Sequence, residues 1–264
     1  MSMPDLVAVS DAQECAAGSD WDAVVAVGPS ASFPDATEVQ AVLEQSAALD
    51  ARLLKDGGFL AAPPVAGGRL VFSPTGPLDR DYDDVRRFAA AAAKGIARAR
   101  DAGARRPLLL LGGVPETPLF RRAVEVCLLG ACQALWQPLE AREARGEDEV
   151  EPVQRVGFVH DDAVDGDALA QGVMALEAGR RLARDLGGTE PERMAPARFA
   201  EYCEEAFADG PVRVEVVEDV EQLEKEYPLA MAVGRASLAV PRHRPRVVRL
   251  VYDCRLYTSP SPRD

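Results

Sequence analysis

Short apolar runs alternate along this chain with longer stretches whose apolar residues recur at helical spacing. Gly, Pro or Asp bound each run, and the runs predicted as strands are 6–10, 23–28, 69–74, 107–113, 153–160, 212–219 and 246–252. Helices are predicted at 84–102, 118–136 and 196–208, with a short one through Leu223. Such alternation is typical of layered proteins that pack helices on a sheet, so the predicted fold class is α/β.

A further helix is predicted between the two groups of strands. Asp165 or Asp167 can cap its start, and Gly187 and Gly188 can end it. Ahead of it, the charged run AREARGEDEVEP at 141–152 is interpreted as a solvated loop and not as a binding patch. The chain is therefore divided into an amino-terminal α/β domain (1–162), a bridging helix with the start of a second domain (163–255), and a tail (256–264).

The charge balance disfavours two classes of partner. Lys and Arg total 30 against 43 Asp and Glu, a formal net charge of −13. An anionic surface repels phosphate backbones and acidic lipid headgroups, so no nucleic acid and no membrane surface is expected as a partner. The chain has no basic leader at its start and no charge-free apolar stretch of the roughly 20 residues that a bilayer span needs. These features predict a cytoplasmic location.

The cysteines do not form a recognisable framework. Their number is odd, no two are spaced as CxxC, no histidine lies near them in sequence, and their positions are Cys15, Cys127, Cys132, Cys203 and Cys254. This pattern predicts mostly reduced core residues without disulfides.

The acidic stretch HDDAVDGD at 160–167 invites a comparison with a calcium-binding loop. If Asp165 and Gly166 took the fifth and sixth positions of an EF-hand loop, the third and twelfth ligand positions would fall on Ala163 and Gly172. Neither side chain can bind calcium. The stretch is therefore predicted to cap the helix that follows it.

The two histidines and their basic neighbours offer little chemistry. His160 and His243 are far apart in sequence, and no partner that would complete a triad or a zinc site can be identified for either. Each is interpreted as a hydrogen-bonded structural residue. The cluster RHRPR at 242–246 is predicted to pair with surface carboxylates.

The stretch LGGVP at 111–115 lies between a predicted strand and a predicted helix. In α/β sheets this is the place where phosphates bind. A strand-to-helix turn needs glycine for its backbone angles in any case, so the pair is weak evidence for phosphate binding, and a conformational role is favoured over it.

The stretch ARDLGGTEPERMAPARFAEYCEE at 183–205 resembles the entrance to the catalytic domain of the leucyl aminopeptidase (cytosol aminopeptidase) family, where members typically read ARDLVNTPPNEMTPTRFAE. The positions that agree without a gap are Ala183, Arg184, Asp185, Leu186, Thr189, Pro191, Met194, Pro196, Arg198, Phe199, Ala200 and Glu201. Several departures indicate a divergent branch: Gly188 and Glu192 replace asparagines, Glu190 replaces a proline, and Ala195 replaces the threonine that would cap the next helix. The resemblance covers roughly 165–252, whereas the first 160 residues match only in their α/β layout.

The resemblance implies a function and its cofactors. Family members are cytosolic two-domain peptidases, usually hexameric, which remove amino-terminal residues from peptides with two divalent metal ions, zinc or manganese. Their metal ligands and catalytic Lys and Arg lie in stretches of the type GKGITFDSGG and NTDAEGR, beyond the strand that RVVRLVY resembles, and neither stretch occurs here. The chain is thus expected to end before the active site, to hold no metal and to be inactive by itself. No residue is assigned a catalytic, cofactor-binding or metal-binding role.

The tail supports the same interpretation. The last nine residues, LYTSPSPRD, resemble the translated read-through of a sequencing-library adapter more than a disordered biological terminus. The second part would then be an incomplete α/β peptidase domain. Its apolar strands, VVRLVY among them, are expected to lack edge partners and to make this part prone to aggregation or disorder, whereas residues 1–160 should fold.

A second function from another class stays open. The amino-terminal domain of this family resembles the macrodomain, a fold known for binding ADP-ribose, and LGGVP lies where a phosphate loop could be. Under this hypothesis the chain is a non-catalytic module that binds ADP-ribose or another phosphorylated small molecule.

Overall fold

The protein is described by a computed structural model that covers residues 3–145, 151–161 and 163–253. The chain divides into two compact units, Met1–Arg181 and Leu182–Asp264. The division falls inside the long predicted helix, while the domain boundary drawn from the sequence precedes that helix. Each unit is described by itself.

A six-stranded sheet is the centre of the first unit. Its strands are β1 (Asp5–Val9), β2 (Ala23–Gly28), β3 (Gly58–Ala61), β4 (Arg69–Pro74), β5 (Pro107–Leu111) and β6 (Arg155–Val159). They lie in the order β1-β6-β5-β2-β4-β3, and every neighbouring pair is parallel except β3 with β4. Together with the helices below, this sheet confirms the predicted α/β class.

Helices cover both faces of this sheet. They are α1 (Thr37–Leu49), α2 (Leu53–Asp56), α3 (Arg86–Asp101), α4 (Ala123–Leu135), α5 (Leu139–Ala144) and α6 (Gly166–Gly188). Val25 of β2 packs in the layer with α3 and α4, and its neighbour Val24 packs in the layer with α1. Because β2 is buried on both sides, its sequence is an unbroken apolar run. Within the described residues, no helix is both long and apolar enough to cross a membrane.

Two helices of the first unit approach each other unusually closely. A Cβ atom placed on Gly130 of α4 would lie 2.3 Å from the carbonyl oxygen of Ala89 and 2.7 Å from its Cα. The thiol of Cys127, one turn earlier, donates to the carbonyl of Phe88 over 3.6 Å. The absence of a side chain at Gly130 therefore sets the distance between α3 and α4.

The second unit has a small core and a two-stranded sheet. Its elements are α7 (Pro196–Phe207), β7 (Val212–Val217), α8 (Val220–Glu226), α9 (Pro228–Gly234) and β8 (Val247–Tyr252). The core of this unit contains Val217, Leu223 and Met231. The prediction that VVRLVY lacks edge partners was wrong for one edge, because β8 pairs antiparallel with β7 from Val247 to Tyr252. The two short helices α8 and α9 let the chain return beside β7.

Other differences from the sequence prediction concern local elements. Residues 141–152 are not all loop: α5 runs through Ala144, since LEAREA consists of good helix formers after Pro138, and residues 146–150 lie outside the described part. No element was predicted between 28 and 69, where α1, α2 and β3 lie. No element was predicted for the segment MAVGRAS at 231–237 either, and it is helical, comprising the end of α9 and the turn Arg235–Ser237.

The four described cysteines, Cys15, Cys127, Cys132 and Cys203, are buried and free. This confirms the prediction for these four, while Cys254 lies outside the described residues. Burial raises the pKa of the Cys15 thiol to about 12 and also raises the pKa of Cys127. Both thiols are therefore protonated and unreactive near neutral pH.

Candidate functional site

The glycine pair of LGGVP lies where the sheet changes its winding direction. The chain leaves β2 through α1 towards β4, and leaves β5 through α4 on the opposite face towards β6. The carboxyl ends of β2 and β5 are thus a topological switch point, the usual ligand crevice of an open α/β sheet. The residues that surround the glycine pair show whether this crevice is open to a phosphate or whether the glycines serve the turn itself.

The protein itself occupies the space at the switch point. A Cβ atom on Gly112 would lie 2.5 Å from the carbonyl oxygen of Ser32 and 2.7 Å from the ring of Phe33. The N–H of Gly112 donates to the carbonyl of Val27 over 2.9 Å, and Gly113 has a φ of 61°. Packing and backbone conformation therefore explain both glycines without a bound phosphate.

A cavity of about 520 Å³ opens beside the loop, in front of α4. Its lining includes the carboxylates Glu116 and Asp161 and the single cation Arg121. Two carboxylates against one guanidinium do not favour a pyrophosphate.

We expect no micromolar binding of ADP-ribose, because Ser32 and Phe33 fill the place that a phosphate loop would leave open. Isothermal titration of the purified chain with ADP-ribose measures this directly, with ADP-ribose injected into buffer as the control. Saturable heat in the micromolar range would contradict it and would favour the binding-module hypothesis.

The acidic stretch at 160–167 caps a helix, as predicted. The carboxylate of Asp165 accepts the N–H of Ala168 over 3.0 Å at the start of α6, and Asp161 accepts the N–H of Ala163 over 2.8 Å. His160 Nδ1 lies 2.9 Å from the carbonyl of Asp161, and its ring packs on Phe158 with centroids 5.9 Å apart. These contacts confirm a structural role for His160, while Asp162 lies outside the described residues.

The family-like motif folds into the end of α6, a turn, and the start of α7. Asp185 is buried near the end of α6 and accepts the hydroxyl of Tyr202 of α7 over 2.9 Å. Pro196 occupies the first turn of α7, where its missing N–H costs nothing. Ala195 precedes it without a side-chain cap, as the departure from the family pattern predicts.

Glu190 stabilises the turn between these helices. Its two carboxylate oxygens accept the N–H groups of Glu192 and Arg193, each over 3.0 Å, and its carbonyl accepts from Met194 over 2.9 Å. A glutamate where the family has proline therefore still fixes the turn, by side-chain hydrogen bonds instead of ring geometry.

Glu192, a second departure, pairs with the basic cluster at 242–246. Its carboxylate accepts from His243 Nε2 over 2.7 Å and from Arg242. These hydrogen bonds hold the pKa of Glu192 below its ordinary value. Arg246 pairs in turn with Glu218 over 2.9 Å. The prediction that this cluster pairs with carboxylates is confirmed, and His243 is one of the pairing groups.

A buried ionic network on α6 was not predicted from the sequence. The guanidinium of Arg181, whose side chain is 1% exposed, lies 2.6 Å from Glu151 Oε1 and 3.2 Å from Glu177 Oε1. Its Nη2 is also 3.5 Å from the carbonyl of Cys132 in α4. The spacing of Glu177 and Arg181 is compatible with a surface pair, so only the packing of α6 reveals that these charges are buried. Glu151 thus belongs to a buried contact and not to the solvated loop predicted at 141–152.

Across residues 3–145, 151–161 and 163–253, no three His, Cys, Asp or Glu side chains converge in a way that could hold a metal ion. The residues present in this part of the chain therefore do not fit the two-metal centre that the family resemblance implies.

The motif at 183–205 lies within a stretch that matches a known protein family. Residues 181–260 match the family described as "Cytosol aminopeptidase family, catalytic domain". A Caenorhabditis elegans protein named as an aminopeptidase is 38% identical over 245 residues, which cover 89% of this chain and 46% of that protein. A Leifsonia xyli protein named as a cytosol aminopeptidase is 30% identical over 251 residues, covering 95% of this chain and 46% of that protein.

Solved structures share the fold. A mutant of tomato leucine aminopeptidase has a TM-score of 0.67 at 15% identity, over 95% of this chain and 51% of that one. A bottromycin maturation enzyme, BotP, in complex with Mn has a TM-score of 0.61 at 20% identity, over 88% of this chain and 45% of that one. Identities this low show the fold alone.

The family match spans the motif at 183–205 that the sequence singled out, and the two relatives extend the similarity over most of the first unit. The chain spans about half the length of these curated relatives. By its sequence, the chain belongs to the cytosol aminopeptidase family.

Proposed function

We propose that this chain is the amino-terminal part of an aminopeptidase that removes amino-terminal residues from peptides with two divalent metal ions, zinc or manganese. In this proposal the metal ligands and the catalytic groups lie beyond Tyr252, and the full-length protein is a cytoplasmic homo-hexamer. The observation that carries it is the motif at 183–205, which matches the start of the family's catalytic domain and folds as a hydrogen-bonded helix–turn–helix.

The role of the described residues in this proposal is structural. Two metal ions would activate water and stabilise the tetrahedral intermediate, but the described side chains offer no ligand set for them. Asp185 and Glu190 fix the turn that leads from α6 into the second unit. The catalytic domain would be built onto this turn and onto the β7–β8 pair.

The proposal includes a division of the chain into domains. We infer that residues 1–162 are the amino-terminal domain, 163–255 the bridging helix and start of the catalytic domain, and 256–264 a non-native tail. Residues 254–264 lie outside the described part of the chain.

The direct test is to read the native transcript from the codons for MAVGRAS towards its 3′ end. The proposal requires a frame that continues past Tyr252 into stretches of the type GKGITFDSGG and NTDAEGR. A stop codon directly after SPSPRD would overturn it.

We expect no release of leucine from leucine amide by the purified 264-residue chain, with manganese, cobalt or zinc added. A full-length family enzyme in the same buffers is the positive control. Metal-stimulated release that follows the chain through purification would show that the catalytic groups lie within these residues, against the proposal.

A further inference from the structure

Lysine is scarce in this chain and unevenly placed. Of the 30 basic residues 27 are arginine, and the three lysines are Lys55, Lys94 and Lys225. Lys55 and Lys94 are far apart in sequence, yet both line one pocket of the first unit. Two of the three lysines therefore share a single concave surface.

This surface, the basic pocket, lies beside the β3–β4 edge of the sheet. It has a volume of about 230 Å³, and the residues that line it are Lys55, Asp56, Gly57, Gly58, Val71, Phe72, Ser73, Pro74, Lys94, Gly95 and Arg98. Glycine forms part of its floor: a Cβ atom on Gly95 would lie 2.5 Å from Val25 Cγ1, and one on Gly57 would lie 2.5 Å from the carbonyl of Phe72. Close packing at these two glycines, against a side chain at Gly95 and against backbone at Gly57, thus shapes the pocket.

The three cations of the basic pocket are not neutralised by the protein. Among the described residues, Lys55, Lys94 and Arg98 take part in no ion pair. The one lining carboxylate, Asp56, is already bound to Arg52 over 2.7 Å. Lys94 and Arg98 are four residues apart on α3, a like-charge spacing that costs about 0.2–0.5 kcal/mol.

Arg98 is held at the pocket in a defined position. Its guanidinium carbon lies 4.7 Å from the ring centroid of Phe59, a cation–π geometry. In a protein with a net charge of −13, three cations that line one pocket without an ion-pair partner in the described part of the chain make this surface locally positive.

We propose that the basic pocket binds a compact phosphate group, either as an inorganic anion or as the terminal phosphate of a small metabolite. Two ammonium groups and a fork of guanidinium donors suit a multiply charged oxyanion. The volume is below the about 300–1,000 Å³ of pockets that enclose drug-sized ligands. ADP-ribose is larger than such a group, and its two phosphates are diesters that carry one negative charge each. It is therefore not the ligand proposed for this pocket. The site is independent of the proposed peptidase function.

The test is isothermal titration of the full chain with pyrophosphate, inorganic phosphate and glycerol 3-phosphate, at ionic strength matched with sodium chloride. Saturable binding of at least one probe is expected. Lys55→Gln and Lys94→Gln should each weaken it about tenfold, the loss of one charged hydrogen bond. Asp56→Asn should strengthen it. A preference for glycerol 3-phosphate over inorganic phosphate would identify a metabolite as the source.

Lys225→Gln is the matched control. Lys225 is the remaining lysine of the chain and lies in the second unit, so its substitution should leave binding unchanged. The thermal midpoint of each variant without ligand shows whether it is folded. The proposal would be overturned by an absence of saturable heat for all three probes. It would also be overturned if Lys55→Gln and Lys94→Gln left binding intact, or weakened it no more than Lys225→Gln does.

Discussion

Arg181→Ala is expected to lower the free energy of unfolding of the first unit by about 3–5 kcal/mol, a large fraction of the roughly 5–15 kcal/mol that is typical of a folded domain. The side chain is 1% exposed and lies between Glu151 and Glu177. Removing it leaves the carboxylate of Glu177, fully buried, without the guanidinium opposite it. Loss of the guanidinium nearest to a buried carboxylate is among the most destabilising changes that a single substitution can make. Urea denaturation followed by circular dichroism measures the loss.

The neighbouring residue provides the control. Arg180 also approaches Glu177, at 3.5 Å, but its side chain is 38% exposed, so Arg180→Ala should cost at most about 1 kcal/mol. The double variant Arg181→Met with Glu177→Leu should recover part of the stability lost in Arg181→Ala, because the buried charges of α6 are removed together. A loss for Arg181→Ala as small as the one expected for Arg180→Ala would show that the network does not stabilise the fold.

Gly130→Ala is expected to destabilise the first unit by about 1–3 kcal/mol, although alanine is the better helix former. The added Cβ atom would lie 2.3 Å from a carbonyl oxygen and 2.7 Å from the Cα of Ala89, and backbone atoms cannot move aside as a flexible side chain can. Helices α3 and α4 must separate, which disrupts the layer that holds Phe88 and Leu128.

A glycine of α6 should respond in the opposite direction. A Cβ atom on Gly172 would meet no atom within 4 Å, so Gly172→Ala should stabilise the protein by up to about 1 kcal/mol. Opposite signs for the two substitutions, measured as shifts of the urea midpoint, are the expected result. A neutral or stabilising Gly130→Ala would mean that α3 and α4 are not in close contact in solution.

The sequence predicts the fold class where burial is extensive. Strands β2 and β5 are buried on both faces, so their apolar runs are unbroken and easily recognised. Strand β3 is a four-residue edge strand that begins with Gly58, and α1 buries only Val39 and Leu43, so neither gives a strong periodic signal. The pairing of β8 with β7 depends on the path of α8 and α9, which short-range patterns do not describe.

Charged sites were harder to predict than apolar ones. The capping role of Asp165 and the surface pairing of Arg242 with Glu192 follow from local spacing and from the excess of carboxylates. Burial of Arg181 depends on where α6 packs, and the grouping of Lys55 with Lys94 depends on the β3–β4 pair lying beside α3. The sequence shows that lysine is scarce, but only the folded chain shows that Lys55 and Lys94 line the same pocket.

The distribution of lysine also affects how this protein can be handled. Reagents that attack primary amines have three side chains to choose from, and two of them line the basic pocket. Coupling the protein through amines to a sensor surface or a fluorophore would therefore often block that pocket and could conceal a ligand that binds there. Amine acetylation could also detect a ligand in the pocket. If a ligand occupies the pocket in a cell extract, mass spectrometry should find Lys55 and Lys94 less acetylated than Lys225, which serves as the internal reference.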